Sequence, residues 1–173
     1  MRQIATPQQR GTTVVLLVHL QYRFFHRLSD VGQERLSHNL RQLLQECSRD
    51  DVPVIALAIR KSGDIRYEFQ RELQCVPRHR IVRHDGRDGF AGGALGFELE
   101  RLGAGSILLG GIYASDCVFA TAKSGHSYGY PLHTSEAFLA DQRSDLIDSH
   151  CVDWFRQNGT YHADYVSPHA ISR

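Results

Sequence analysis

SILLGGIYASDCVFATAKSG, residues 106–125, is the stretch whose reading decides the fold. It opens as an apolar run, loses its side chains at Gly110 and Gly111, turns through residues 112–116, and continues as a helical pattern from Asp116 to Gly125. A buried strand that runs directly into a helix is half of a βαβ unit, the building block of parallel sheets. Cys117 stands where the helix begins. A thiol there feels the positive end of the helix dipole, which favours the thiolate. The unpaired amides of the first turn can also hold a developing oxyanion. The plain alternative is a small buried cysteine packed beneath the helix.

Working outward, the same alternation recurs. TTVVLLVHLQ, residues 12–21, reads as a strand buried on both faces. Residues 33–51 place Leu36, Leu40, Leu43 and Leu44 at helical spacing. Residues 52–59 predict a second strand, 66–73 a short helix, and 80–82 a third strand. A helix follows over 94–102 with Gly103 as its C-terminal cap. Residues 106–113 give the fourth strand, 132–137 the fifth, and 145–157 a helix that Gly159 would end. Residues 161–173 predict an edge strand and a loose tail, and residues 86–96 are the longest glycine-rich segment. Strands alternating with helices, joined by right-handed crossovers, predict a three-layer α/β/α sandwich with a mostly parallel six-stranded sheet. With 173 residues and no internal repeat or linker, the expectation is one domain spanning residues 1–173.

Composition excludes several function classes. Twenty basic and nineteen acidic side chains leave a net charge of +1, which singles out neither nucleic acid nor an acidic membrane as a partner. No apolar run approaches the ~18 residues of a membrane span, and residues 1–10 carry no apolar signal segment. Cys47, Cys75, Cys117 and Cys151 form no CxxC pair. The reading is a reducing, cytoplasmic protein that acts on a small molecule.

In an open parallel sheet, ligands bind outside the carboxyl ends of the strands. His19, His84 and Cys117 fall at or just beyond three such ends. His19 can take a proton from Cys117, giving a Cys–His pair, or it can be a strand-end histidine bonded to backbone. His84 lies in RHDGRDGF with Asp85, Arg87 and Asp88, a loop that either binds a polar substrate group or is solvated. A zinc site built from His19, His84 and Cys117 lacks short ligand spacing and is disfavoured. His162 and His169 read as surface residues.

Four segments, in order, resemble the isochorismatase-like cysteine hydrolases. These are VVLLVHLQYRF (14–24), DGFAGGAL (88–95), LLGGIYASDCVFATAKSG (108–125) and LADQ (139–142). The resemblance implies a six-stranded parallel sheet, assembly as homodimers or homotetramers, and a triad of Asp, Lys and Cys. Aligned on the motifs, the Asp position is His19, the Lys position is His84 and the nucleophile is Cys117. The resemblance further implies a cis Ile112–Tyr113 bond and an oxyanion hole made by the Tyr113 and Cys117 amides. Gln21, Phe90, Arg83 and Asp88 become candidate substrate contacts, with Arg83 replacing His84 if the loop shifts by one residue. Residues 58–62 lack the Asp-x-His metal motif of the family's nicotinamidases, so neither a metal nor another cofactor is expected. A Cys at 117 with no Asp at 19 argues against vinyl ether hydrolysis. The expected activity is hydrolysis of a small amide, carbamoyl or related acyl compound. A catalytically silent binder of a small molecule or partner protein, and a biosynthetic relative with altered chemistry, stand beside it. Pocket walls are expected from residues 22–31 and 63–77.

Overall fold

A computed structural model describes residues 11–60, 66–142 and 146–171. The polar segment 1–10, positions 61–62 of the stretch read for a metal motif, positions 63–65 of the expected pocket wall, the Asp145 start of the predicted sixth helix and the last two residues of the tail lie outside these.

Six strands, β1 (Thr12–Val18), β2 (Val54–Ile59), β3 (His79–His84), β4 (Ala104–Ile112), β5 (Leu132–Ala140) and β6 (Thr160–His162), form one sheet in the order β3-β2-β1-β4-β5-β6. Every neighbouring pair is parallel, so the sheet is wholly rather than mostly parallel. The order runs outward from β1 in one direction and from β4 in the other. The crevice at their carboxyl ends is therefore the topological switch point, where such sheets bind ligands.

The helices are α1 (Tyr22–Phe25), α2 (Asp30–Arg49), α3 (Gln70–Gln74), α4 (Ala94–Arg101), α5 (Phe119–Ser127), α6 (Ser149–Asn158) and α7 (Pro168–Ile171). Strand alternation in β1 separates two cores. Val15 and Leu17 pack with Leu36, Leu40, Leu43 and Leu44 of α2. Val14, Leu16 and Val18 pack with Leu95 and Leu99 of α4, Ala122 of α5 and Phe155 of α6. This gives the three layers.

Several boundaries differ from the sequence expectation for local reasons. α2 begins earlier because Ser29 caps it, its Oγ accepting from the Gly32 amide at 3.0 Å. β1 ends at Val18, because His19 takes a left-handed conformation with φ 51°. β3 extends to His84 through pairing with Ile59 of β2, which puts His84 in the sheet and not in a loop. Within the expected loose tail, residues 168–171 make a short helix, α7, that contacts β1 and α2.

Candidate functional site

At the end of β1 the chain must leave the strand abruptly, and His19 does this with a positive φ, a conformation in which His, Asn and Asp are enriched among side chains. Its amide still donates to the Leu57 carbonyl of β2 at 3.1 Å. Two residues on, Gln21 is fully buried. Its Oε1 accepts from the Ile59 amide at 2.8 Å and its Nε2 donates to the Ile59 carbonyl at 3.3 Å. Gln21 therefore clamps the ends of β1 and β2 together, which engages the amide that the sequence reading assigned to substrate.

The imidazoles of His19 and His84 meet over the end of β2. Their Nε2 atoms are 2.8 Å apart and their rings lie within 17° of parallel. An N–H···N bond needs one Nε2 protonated and the other bare. Both rings are almost fully buried, and neither Nδ1 has a well-aligned partner. Burial and the neighbouring His84 push His19 down to about 3, so it is neutral at physiological pH. Burial lowers His84 as well, while the backbone carbonyls and the carboxylates of Asp88 and Asp85 pull it partway back. Whichever ring donates its Nε2–H to the other has a bare Nδ1, which carries a free lone pair.

Cys117 sits in a single π-turn, Ala114–Val118, that precedes α5. The turn is marked by the Val118 amide donating back to the Tyr113 carbonyl at 3.1 Å. The Ile112–Tyr113 peptide that leads into it is cis. Gly111 is required just before: at φ 124° a Cβ there would collide with the Val18 carbonyl of β1. Asp141, just past β5, pins the turn through its Oδ1, which accepts from the Ser115 amide at 3.0 Å and from its hydroxyl at 2.9 Å.

The thiol is buried, and burial with the adjacent Asp116 carboxylate pushes it up to about 11. The Tyr113 amide and Arg87 pull in the opposite direction. The resting sulfur is therefore a thiol, where the sequence reading expected a thiolate, because burial and the Asp116 carboxylate outweigh the Tyr113 amide and Arg87. Asp116 Oδ2 lies 3.9 Å from Cys117 Sγ, and Asp116 Oδ1 accepts from Arg87 Nη1 at 2.8 Å. Two clefts flank Asp116. One of about 550 Å³ is lined by Tyr113, Asp141 and Asp148, among others, and one of about 360 Å³ by Arg87, Asp88, Phe119 and Lys123, among others.

The remaining candidates make the following contacts. Asp88 accepts from the Phe90 amide at 3.0 Å and from Ser124 Oγ at 2.6 Å, so it shapes its loop and ties it to α5. Phe90 packs against Tyr128 and Tyr130, with ring centroids 5.1 and 6.3 Å away. Arg83 is exposed, on the opposite face of β3 from buried His84, and its carbonyl accepts from Arg60 at 3.3 Å. Strand alternation thus presents His84, not Arg83, to His19. Ile112 is a buried core residue. Tyr113 donates its hydroxyl to the Phe24 carbonyl at 3.0 Å and so holds α1, whose Phe24 ring centroid is 6.4 Å from that of His19, over the pair. Asp116 is the contact the sequence reading missed, although an acid immediately before a candidate nucleophile was visible as a signal.

Among the described residues, no three His, Cys, Asp or Glu side chains converge as a metal site. At 2.8 Å the two Nε2 atoms are also closer than the ~3.3 Å between tetrahedral ligands 2.0–2.1 Å from a zinc ion. No described helix is long and apolar enough to cross a membrane.

No curated protein matches the chain in sequence. Among solved structures, the chain is similar in fold to N-carbamoylsarcosine amidase from Thermoplasma acidophilum (18% identity, 90% of this chain and 98% of that one, TM-score 0.73). It is also similar to a nicotinamidase from Staphylococcus aureus (16%, 88% and 99%, TM-score 0.72). A third is the YcaC gene product from Escherichia coli, an octameric hydrolase of unknown specificity (14%, 94% and 79%, TM-score 0.74). An isochorismatase domain model matches residues 13–139, a span that takes in both histidines, the π-turn and the thiol, and on that match the chain belongs to the isochorismatase domain family.

Proposed function

We propose that this chain is a cysteine hydrolase of small amide, carbamoyl or related acyl compounds. The observation that carries the reading is the direct His19–His84 bond at the switch point of the sheet. A buried, neutral imidazole pair with one bare Nδ1 is a proton acceptor that can pass charge on. In the family resemblance these positions hold an Asp and a Lys, whose charges sum to zero; two neutral imidazoles keep that sum without burying an ion pair.

The chemistry follows from the protonation states. Cys117 Sγ attacks the acyl carbon while its proton moves to His19 Nδ1, so no free thiolate forms in the resting site. As His19 gains that proton, its Nε2–H can shift to His84 Nε2, and the charge comes to rest beside Asp85 and Asp88. The Tyr113 and Cys117 amides hold the carbonyl oxygen as it becomes an oxyanion. Collapse breaks the C–N bond, and the amine leaves with the proton returned through His19. Water, deprotonated by the same nitrogen, then cleaves the thioester to give the acid and the free thiol. Two of the similar structures are amidases by name, which agrees with this substrate class. The octameric YcaC hydrolase supports assembly of this chain into a homo-oligomer, with a dimer or tetramer as the simplest forms.

The raised thiol favours a second reading, a silent pocket that binds without turnover. Ammonia release from a panel including nicotinamide and N-carbamoylsarcosine, measured for the wild type and Cys117→Ala, separates the two. Turnover that disappears in Cys117→Ala is expected. Turnover that survives the substitution, or its absence across the panel together with tight binding of a panel member, would overturn the hydrolase reading.

A further inference from the structure

The 360 Å³ cleft beside Asp116 has more donors than acceptors left to offer. Its carboxylates are engaged. Both oxygens of Asp88 accept, one from the Phe90 amide and one from Ser124 Oγ. Asp116 gives one oxygen to Arg87 and turns the other toward Cys117 Sγ. Its cations are engaged only in part. Among the described residues Arg87 uses only Nη1, in one contact, and leaves Nε and Nη2 of its planar fork; its side chain is 74% exposed. Lys123 has its Nζ 4.6 Å from the Phe119 ring centroid and, among the described residues, makes no ion pair. A cavity with satisfied acids and unengaged cationic donors favours an acceptor-rich anion. The guanidinium fork matches a planar carboxylate in particular. Asp116, which lines the cleft, lies 3.9 Å from the thiol, so an anion on Arg87 is within a small molecule's reach of Cys117.

We propose that Arg87, assisted by Lys123, is the specificity element of this site and selects substrates in which the scissile acyl group is joined to a carboxylate. The inference rests on Cys117 being the working thiol. Arg87 keeps its contact with Asp116 and receives the substrate carboxylate on its remaining donors. The carboxylate then sits at the mouth of the cleft and the acyl carbon points along Asp116 toward Sγ. Asp88 takes no part in binding; it fixes the loop that carries Arg87.

Two alkylating reagents of nearly equal size test this directly. Iodoacetate is anionic and iodoacetamide neutral, and both report on Cys117 by mass spectrometry. Cys75, free and exposed, supplies the reference ratio within the same chain. Comparing the two rates cancels any effect of Arg87 on the thiol itself. The iodoacetate-to-iodoacetamide rate ratio at Cys117 is expected to exceed that at Cys75 by roughly tenfold, the size of one charge-assisted contact. Arg87→Ala should return it to the Cys75 value, Arg87→Lys should keep part of it, and Lys123→Gln should lower it by a smaller factor. Equal ratios at the two cysteines, or a preference that persists in Arg87→Ala, overturn the carboxylate proposal while leaving Cys117 a competent nucleophile. Because a thiol pushed up to about 11 offers little thiolate, the reaction is run at about pH 9 with long exposure. Failure of both reagents to modify Cys117 at all under those conditions overturns the cysteine-hydrolase reading, and this proposal with it.

Discussion

Two histidine pairs lie in the same sheet, at opposite ends of it. His19 and His84 meet at the carboxyl ends of β1 and β3, nitrogen to nitrogen at 2.8 Å. His133 and His162 lie toward the other edge, on β5 and β6, with His133 near the amino end of its strand. Their rings are also near-parallel, within 18°, but the centroids are 6.1 Å apart and no hydrogen bond joins them. Both pairs contain buried nitrogens without partners, and burial lowers both His19 and His133. Buried imidazole is therefore not what marks a site. Position at the switch point, a direct N–H···N bond and a thiol delivered by the neighbouring strand distinguish the first pair from the second.

The largest expected effect breaks the comparison in activity. With an amide that the wild type turns over, His19→Ala should lower kcat/KM by about 10²–10⁴-fold, the span of a lost general base. His133→Ala should leave it within about twofold. Comparable losses from the two substitutions, read by ammonia release, would remove the distinction between the pairs.

The next effect concerns charge. His84→Lys places an ammonium in a site that is 3% exposed, opposite a neutral ring. A destabilisation of roughly 3 kcal/mol is expected, as for an unpaired buried charge. His19→Asp should cost a similar amount, although Asp tolerates the positive φ. The double substitution, His19→Asp with His84→Lys, should recover most of the loss, since each charge then has its partner. His162→Lys, on a half-buried edge strand, should cost about 1 kcal/mol or less. Urea unfolding of the four variants gives the coupling. An additive double variant would mean that the two positions do not act as a pair.

Protonation sharpens the same contrast. His19 has a folded pKa near 3, below the ~6.5 of the unfolded chain. Between these values the unfolded state binds the extra proton, so this stability is complete above pH 6.5 and is lost as pH falls toward 3. In the window from pH 6 to 5, ahead of most carboxylate titration, the wild type should lose about 1 kcal/mol per pH unit more than His19→Gln. Identical slopes in the two proteins would show that His19 titrates normally in the fold.

How much of this was legible beforehand follows the same physics. The parallel sheet was readable because β1, β2 and β4 are continuous apolar runs, as buried parallel strands must be. His19, His84 and Cys117 were readable as residues out of place at strand ends. Their convergence was implied only by the family resemblance, which put all three in one triad; the direct bond between His19 and His84, 65 positions apart, depends on strand order and is in no one-dimensional pattern. Gln21 and Asp88 were named as candidate substrate contacts, and the sequence could not show that each also satisfies a backbone amide. Asp116 was visible as an acid beside the thiol, but its effect was not: whether an acid raises or spares an adjacent thiol depends on the π-turn, which sequence periodicity does not distinguish from the first turn of an α-helix.

The smallest effect tests the quiet pair on its own terms. His133 Nδ1 and His162 Nε2 are buried without partners, and such groups carry a desolvation penalty that no bond offsets. Replacing the ring by one of similar shape without the polar atoms removes the penalty and keeps the packing. His162→Phe should therefore be neutral or stabilising by about 0.5–1 kcal/mol, read as a shift in the urea midpoint at unchanged slope. The equivalent change at the bonded pair, His84→Phe, strands His19 Nε2 and should destabilise instead, by about 1–3 kcal/mol. Opposite signs for two chemically identical substitutions would show that the fold uses the first pair as a hydrogen bond and the second only as volume. A destabilising His162→Phe would give the second pair a polar partner of its own, and the contrast between the two ends of the sheet would fail.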